Sequence, residues 1–160
     1  MFPEYNLLRD MIFEITKKKP VIFINGGGNW GDAVIRAGTL KFFRENSISY
    51  SEIAFRNIFY KSDIKSKTVK DFVKDKVMIF NGGGAWCGWF NTGSMFIREF
   101  HHYFKKVVVL PSTFNVSINV DNVLYFCRDR YESKDFVPHA IFCHDMAFYL
   151  GRISQSKNCK

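Results

Sequence analysis

One stretch organises this sequence: Val21-Ile-Phe-Ile-Asn-Gly-Gly-Gly-Asn-Trp-Gly-Asp32, an apolar run that stops at three glycines and then continues with helical spacing. The pattern recurs at Val77-Met-Ile-Phe-Asn-Gly-Gly-Gly-Ala-Trp86, which keeps the Val, the Asn, all three glycines and the Trp. Apolar runs without alternation are typical of strands that are buried on both faces, as in a parallel sheet. The sequence therefore predicts two buried strands that end in closely similar glycine loops.

The glycine loops have the composition of a ligand-binding backbone. Glycine has no side chain and tolerates positive φ, so its N–H groups can approach a ligand closely. A helix is predicted directly after the first loop, with Asp32 as a favourable N-cap residue. The free N–H groups at such a helix start attract anions. A single loop of this kind is equally consistent with a sharp strand-to-helix turn, but the second copy favours a shared ligand cleft.

The size and charge of the chain restrict its class. Its 160 residues suit one domain, which we place at 1–150 with a polar tail at 151–160. The 18 Phe, 7 Tyr and 3 Trp residues predict a tightly packed interior and some exposed apolar surface. A net charge of +8 favours anionic partners. The basic residues are scattered and no nucleic-acid-binding motif accompanies them, so we expect no nucleic-acid partner.

The cysteines and the N-terminus indicate the cellular environment. Cys87, Cys127, Cys143 and Cys159 have no CxxC spacing and no matching histidine cluster, so we expect no metal site. Cys127 and Cys143 lie in predicted strands and are interpreted as small core residues. We expect a reduced, cytoplasmic protein. No signal-peptide pattern begins the chain, and no apolar run reaches the roughly 20 residues of a membrane span.

Hydrophobic spacing predicts alternating strands and helices. Helices are expected at 5–16, 32–46 and 94–104, and strands at 21–25, 49–56, 77–81, 107–111, 123–127 and 138–143. The polar segment 57–75 supports only a marginal helix. In helix 32–46 the residues expected to face the sheet are Val34, Ala37, Gly38, Leu40 and Phe43. This order predicts an α/β fold, a Rossmann-like three-layer sandwich with a mostly parallel sheet, whose loops share one edge.

The loop after the third strand, 82–93, is rich in both glycine and aromatic residues. Glycine gives access to the backbone, and aromatic rings give contact surface, which is typical of binding loops, including loops that contact sugars. The rings of Trp86, Trp89 and Phe90 could equally fold inward. The sequence leaves their direction open.

Gly26, Gly28 and Gly31 formally match the dinucleotide-binding fingerprint between a strand and a helix. The acidic residue expected at the end of the second strand is absent, and Arg56-Asn57 stands there. This disfavours NAD and leaves an NADP-dependent Rossmann enzyme as a remote alternative. The second glycine loop has no role in that fingerprint.

The ordered set of motifs fits a different family better. The motifs, in order, are Asn25-Gly-Gly-Gly-Asn-Trp-Gly-Asp32, Asn81-Gly-Gly-Gly84, Leu110-Pro-Ser112, Arg128-Asp129-x-x-x-Ser133 and Asp145-Met-Ala147. Together they resemble the polysaccharide pyruvyl transferase family across residues 21–150. The Arg-Asp motif departs slightly from the family pattern, because Glu132 stands between Tyr131 and Ser133.

The resemblance implies a fold and a reaction. Members of the family transfer the pyruvyl group of phosphoenolpyruvate to two hydroxyls of a sugar, which gives a ketal and releases phosphate; no cofactor is implied. They resemble GT-B transferases, and this chain is similar to one half of a GT-B fold. The second half, with its catalytic histidine and further basic residues, has no counterpart here. A homo-oligomer or a second-half subunit would then complete the site, and an apolar face is expected at the carboxyl edge of the sheet.

The same resemblance suggests roles for individual residues. Arg128 is the expected anion contact, and Asp32 the expected acceptor of a sugar hydroxyl or catalytic base, with an N-cap role equally open. The expected substrate-binding residues are Asn25, Gly26, Gly27, Gly28, Asn29, Asn81, Gly82, Gly83, Gly84, Ser112 and Asp145. The competing hypothesis is a non-catalytic sugar- or phosphate-binding module derived from such an enzyme.

Overall fold

The computed structural model describes residues 2–59, 71–84 and 86–151. Its centre is a sheet of six parallel strands: β1 (Val21–Asn25), β2 (Tyr50–Ala54), β3 (Val77–Phe80), β4 (Lys106–Ser112), β5 (Val123–Cys127) and β6 (Ile141–Phe142). The strand order is β2-β1-β3-β4-β5-β6. The α/β class and the parallel sheet are therefore confirmed, and every pairing between these strands is parallel.

Helices cover both faces of the sheet. They are α1 (Glu4–Thr16), α2 (Trp30–Glu45), α3 (Phe55–Phe59), α4 (Thr92–Phe100) and α5 (Glu132–Phe136), with 3-10 helices at His101–Tyr103 and Met146–Leu150. Much of the weakly predicted segment 57–75 lies outside the described residues, as does the tail after Gly151. Within the described ranges, no helix combines the length and apolarity needed to cross a bilayer.

Two hydrophobic cores lie on opposite faces of the sheet. Strand side chains alternate between them because successive residues of a strand point to opposite faces. In β1, Phe23 packs with α1, α2 and the C-terminal 3-10 helix, whereas Ile22 and Ile24 pack with α4. The side chains of Tyr5 and Phe100 are buried in these two cores. This arrangement confirms the three-layer sandwich.

The buried face of α2 agrees with the predicted one at Gly38 and Phe43, which are both buried, and differs from it elsewhere. Ile35 and Phe42 are buried there, whereas Val34 and Ala37, which were expected to face the sheet, are exposed. The reason is tertiary, because α2 packs against the C-terminal 3-10 helix as well as the sheet. At Gly38 the Met146 carbonyl comes so close that a Cβ atom has no room.

Cys127 and Cys143 are buried and free, which confirms their interpretation as core residues. Burial raises the pKa of the Cys143 thiol to about 12, and it also raises the pKa of Cys127 above its ordinary value. Both thiols therefore stay protonated at neutral pH, which makes them poor nucleophiles.

We expect Gly38→Ala to lower the free energy of unfolding by about 1–3 kcal/mol, the usual cost of overpacking. This loss should exceed the helix-propensity gain of about 1 kcal/mol. Urea denaturation followed by circular dichroism measures the effect. The control is Ala37→Ser, because Ala37 is exposed on the same helix and its replacement should change the free energy little. Equal stabilities for the two variants would contradict the packing of α2 against Met146.

Candidate functional site

A cavity of about 690 Å³ opens at the carboxyl edge of the sheet. It lies beside the ends of β1 and β3, where the strand order reverses direction, because β2 and β3 flank β1 on opposite sides. Ligands of open α/β sheets bind at such switch points. The described residues that line the cavity are Gly26, Gly27, Gly28, Asn29, Gly31, Asp32, Ile35, Phe55, Phe80, Asn81, Gly82, Gly84, Cys87, Phe90, Thr92 and Arg128.

The first glycine loop ends in a capping box. Asn29 is the N-cap of α2, and its Oδ1 accepts hydrogen bonds from the N–H groups of Gly31 at 2.7 Å and Asp32 at 3.4 Å. Asp32 Oδ2 in turn accepts from the Asn29 N–H at 2.9 Å. The N-cap role that the sequence left open for Asp32 therefore belongs to Asn29, because α2 begins at Trp30. Asp32 occupies the third helical position, where a carboxylate closes the box.

The Asp32 carboxylate also connects the two glycine loops. Gly28 has a φ of +125°, and a Cβ atom there would overlap Asp32 Oδ2. Gly83, in the second loop, has a φ of +130°, and a Cβ atom there would lie 3.3 Å from Asp32 Oδ1. Both positions therefore require glycine, for backbone conformation and for space. The repeated glycines place one carboxylate between two strand ends.

Arg128 approaches the cavity from the end of β5. Its Nε donates to Thr113 Oγ1 at 2.6 Å, and its Nη1 donates to Asp145 Oδ2 at 2.7 Å. The remaining nitrogen, Nη2, lies 3.9 Å from the position that a Cβ atom would take if Gly84 carried one. These two acceptors orient the planar guanidinium and leave its third nitrogen near the cavity wall.

Asp145 is a support for Arg128 and does not line the cavity. Its Oδ1 accepts the Ala147 N–H at 2.8 Å, and its backbone carbonyl accepts the Tyr5 hydroxyl at 2.6 Å. These bonds hold the carboxylate at the start of the C-terminal 3-10 helix. The structure brings it to Arg128, but its contact with the cavity is indirect.

Two other predicted binding residues point away from the cavity. The Asn25 amide donates to Glu52 at 2.5 Å, and Arg36 donates to the same carboxylate through two nitrogens at 2.6 Å each. The hydrogen bonds from Arg36, joined by the one from Asn25, hold the pKa of Glu52 below its ordinary value despite partial burial. Ser112 is buried, and its hydroxyl donates to the Leu110 carbonyl at 2.8 Å. Asn25 and Ser112 therefore support the strand ends that carry the loops.

A family model described as polysaccharide pyruvyl transferase matches residues 29–160, which is most of the chain. The chain belongs to this family. The resemblance seen in the sequence motifs is thereby confirmed.

A solved structure supports the fold of this pyruvyl transferase family member. It is the crystal structure of a functionally uncharacterized protein from Klebsiella pneumoniae subsp. pneumoniae, which matches with a TM-score of 0.75 and 23% sequence identity. The match covers 100% of this chain and 62% of the Klebsiella chain, so this chain spans less than two thirds of that protein. A search of curated proteins found no match.

In the Arg-Asp motif of this family member, Asp129 and Ser133 stabilise the local backbone. Asp129 accepts hydrogen bonds from the Ser133 hydroxyl and from the Ser133 N–H at 2.8 Å, and the Ser133 hydroxyl accepts from the Phe114 N–H at 2.9 Å. Burial opposes ionisation of Asp129, but the hydrogen bonds from Ser133 and from nearby backbone N–H groups together outweigh it and hold its pKa below the ordinary value. The motif thus joins the end of β5 to the loop after β4 and fixes the backbone beside Arg128.

The aromatic side chains of the loop after β3 point in different directions. Trp86 is buried, with its ring centroid 5.6 Å from that of Phe80 and 5.2 Å from that of Phe114. Trp89 and Phe90 are exposed, and Phe90 lines the cavity. The sequence left the direction of these three rings open. In the structure Trp86 faces a core, whereas Trp89 and Phe90 do not.

Sequence reasoning missed several residues that either line the cavity or orient a group in it. Thr113 orients Arg128, and its signal was the Pro-Ser-Thr sequence that closes β4. Thr92 and Cys87 also line the cavity, and the Cys87 thiol donates to the Gly84 carbonyl at 3.1 Å. Phe55 follows β2 directly and forms part of the wall. Neither Thr92 nor Phe55 belongs to a motif, so only the folded chain identifies them.

The start of α2 is a poor site for a dinucleotide. The N–H groups of Asn29, Gly31 and Asp32 already donate to side-chain oxygens of the capping box. A bound pyrophosphate would meet the Asp32 carboxylate at close range, which is electrostatically unfavourable. The anion site expected at this helix start is therefore occupied by the chain's own side chains. Among the described residues, no group of three or more His, Cys, Asp and Glu is arranged to hold a metal ion.

We expect Gly28→Ala to destabilise the protein by about 2 kcal/mol, because the new Cβ strains a positive-φ backbone and displaces Asp32 from the capping box. Thermal unfolding followed by circular dichroism tests this. Gly26→Ala is the matched control, since nothing lies within 4 Å of a Cβ atom at Gly26. Equal melting temperatures for the two variants would contradict the placement of Asp32.

Cys87 should react with iodoacetamide in the folded protein, whereas Cys127 and Cys143 should react only after unfolding. The reason is that Cys87 is half-exposed in the cavity wall and the other two thiols are buried. Peptide mass spectrometry after timed alkylation at pH 8 measures the three rates. Faster labelling of Cys127 than of Cys87 would be inconsistent with this structure.

Proposed function

We propose that this cavity serves pyruvyl transfer from phosphoenolpyruvate to a saccharide. The observation that supports it most directly is that the Asp32 carboxylate and the Arg128 guanidinium line one cavity between the two glycine loops. A carboxylate that can accept a hydroxyl proton and a cation that can hold an anionic donor are the two kinds of group that this chemistry needs. Family membership makes this reaction the first to test.

Asp32 and Arg128 each have a role in the proposed reaction. One sugar hydroxyl adds to C2 of the enolpyruvyl group and loses its proton to a base, while the methylene carbon C3 gains a proton. The bond between C2 and the phosphate oxygen then breaks, the second hydroxyl oxygen bonds to C2, and its proton leaves with the phosphate, so that a ketal forms. Asp32 is placed to accept the hydroxyl proton, and Arg128 to bind the carboxylate or phosphate of the donor.

The charge of the cavity suggests which substrate this chain contacts most. Arg128 is already paired with the Asp145 carboxylate, and Asp32 adds a second carboxylate nearby. The anionic donor therefore needs more cationic groups than these residues supply. We propose that the described residues bind mainly the neutral saccharide, and that another part of the protein, a second copy or a second-half subunit supplies the remaining cations for phosphoenolpyruvate.

A saccharide-binding module without catalysis is the second candidate. It is favoured by one observation: Asp32 Oδ2 already accepts the Asn29 N–H, and a carboxylate used in a capping box is less available as a base. The same carboxylate can still accept a sugar hydroxyl through its other oxygen.

The proposed function predicts acceptor-dependent release of phosphate from phosphoenolpyruvate by the purified chain. The acceptors are a panel of galactosyl, mannosyl and glucosaminyl oligosaccharides. Arg128→Ala should lower kcat/KM by about 100-fold, and Arg128→Lys should recover little, because lysine cannot make the forked contacts to Thr113 and Asp145. Asp32→Asn should lower kcat by about 100-fold, the effect of losing a general base.

Arg130→Ala is the control for the arginine variants. Arg130 is exposed and contacts Glu4 at 3.3 Å and the ring of Phe142 at 4.0 Å, away from the cavity lining. The kcat/KM of the Arg130→Ala variant should match that of the wild type. Saccharide binding without phosphate release would favour the binding module, and phosphate release unaffected by Arg128→Ala and Asp32→Asn would contradict the assignment of the site.

A further inference from the structure

Three exposed aromatic residues belong to the loops around the cavity: Phe90 lines it, and Trp30 and Trp89 are sequence neighbours of lining residues. We call Trp30, Trp89 and Phe90 the aromatic rim. We propose that the aromatic rim is a stacking platform for pyranose rings of the saccharide acceptor. The proposal rests on the proposed function of the same cavity and adds the part of the site that holds the sugar chain.

The aromatic rim is unusually exposed for residues of this type. The exposed fractions of the side chains are 99% for Trp89, 89% for Trp30 and 68% for Phe90. Trp30 lies in sequence between Asn29 and Gly31, which both line the cavity, and Trp89 precedes the cavity residue Phe90. Large apolar side chains left in water beside a cavity are typical of a binding surface.

The loop that carries Trp89 is held in place. A turn at 87–90 is closed by hydrogen bonds from Cys87 N–H to the Phe90 carbonyl at 3.1 Å and from Phe90 N–H to the Cys87 carbonyl at 2.5 Å. The Gly88 N–H donates to Asn115 Oδ1 at 3.1 Å. The residue just before this turn, Trp86, is buried in the core. A platform fixed before binding loses little conformational entropy when the ligand arrives.

The chemistry of the surroundings favours a sugar as the occupant. A pyranose ring has an apolar C–H face, which packs on an aromatic ring, and an edge of hydroxyls, which needs hydrogen-bond partners. The residues that line the cavity include Asp32 and Thr92, whose carboxylate and hydroxyl are groups of this kind. No charged side chain belongs to the rim itself, so an anionic ligand would gain nothing there. The combination of bare rings and adjacent polar groups fits a neutral saccharide.

The test measures binding of the galactosyl, mannosyl and glucosaminyl oligosaccharides without phosphoenolpyruvate, by isothermal titration calorimetry and intrinsic tryptophan fluorescence. At least one oligosaccharide should bind and shift the emission to shorter wavelength, because the exposed tryptophans become covered. Trp89→Ala should weaken that binding about threefold to tenfold, and Trp89→Phe should retain most of it, since a ring remains. Binding of no oligosaccharide in the panel would overturn the proposal.

Phe72→Ala is the matched control, because Phe72 is also an exposed aromatic residue but lies before β3, at the opposite edge of the sheet. It should leave saccharide affinity unchanged. Equal losses in Phe72→Ala and Trp89→Ala would overturn the proposal. Sedimentation velocity supplies a further check: a dimer that dissociates in Trp89→Ala, with unchanged saccharide affinity, would identify the rim as a protein interface instead.

The two proposals fail in different ways. If the wild type releases phosphate in the presence of acceptor but Trp89→Ala leaves the KM for the acceptor unchanged, the rim proposal is wrong and pyruvyl transfer stands. If no phosphate is released but saccharide binding depends on Trp89, the rim proposal stands and the proposed reaction is wrong.

Discussion

The position of the Asp32 carboxylate is the constraint on which the site depends. It closes the capping box at the start of α2 and lies directly against the backbones of Gly28 and Gly83. A side chain at Gly28 would push the carboxylate away, a Cβ atom at Gly83 would lie in tight contact with it, and both glycines have positive φ. The two loops therefore form one wall of the cavity, although they are far apart in the chain.

A second network, of hydrogen bonds, orients the positive charge of the site, which is the guanidinium of Arg128. Thr113 and Asp145 fix the guanidinium of Arg128 from two sides, and Tyr5 fixes Asp145 through its backbone carbonyl. The members of this network come from α1, from the ends of β4 and β5, and from the segment before the C-terminal 3-10 helix. The orientation of Arg128 therefore depends on the packing of α1 and the C-terminal 3-10 helix on one face of the sheet, which couples the site to the stability of the fold.

The site combines polar groups in the cavity with bare aromatic rings at its rim. One arginine that is already paired is a weak partner for a donor with both a carboxylate and a phosphate. Hydroxyl-binding groups beside exposed tryptophans suit a neutral sugar chain much better. In the proposed function, the described residues would form the acceptor side of the site, and groups elsewhere would bind the donor.

The sequence by itself determined the parallel α/β fold and the two glycine loops, because buried strands and their shared direction follow from local patterns. It also placed Asp32 and Arg128 after strands whose carboxyl ends lie at one edge of the sheet. It could not determine that Asn29 is the N-cap, that Asn25 and Ser112 face away from the cavity, or which rings of the aromatic loop are exposed. Asn25 bonds to Glu52 and Trp86 packs against Phe114, and both partners are distant in sequence. Only the tertiary structure brings such partners together, since side-chain direction at a strand end is decided by the neighbour it meets.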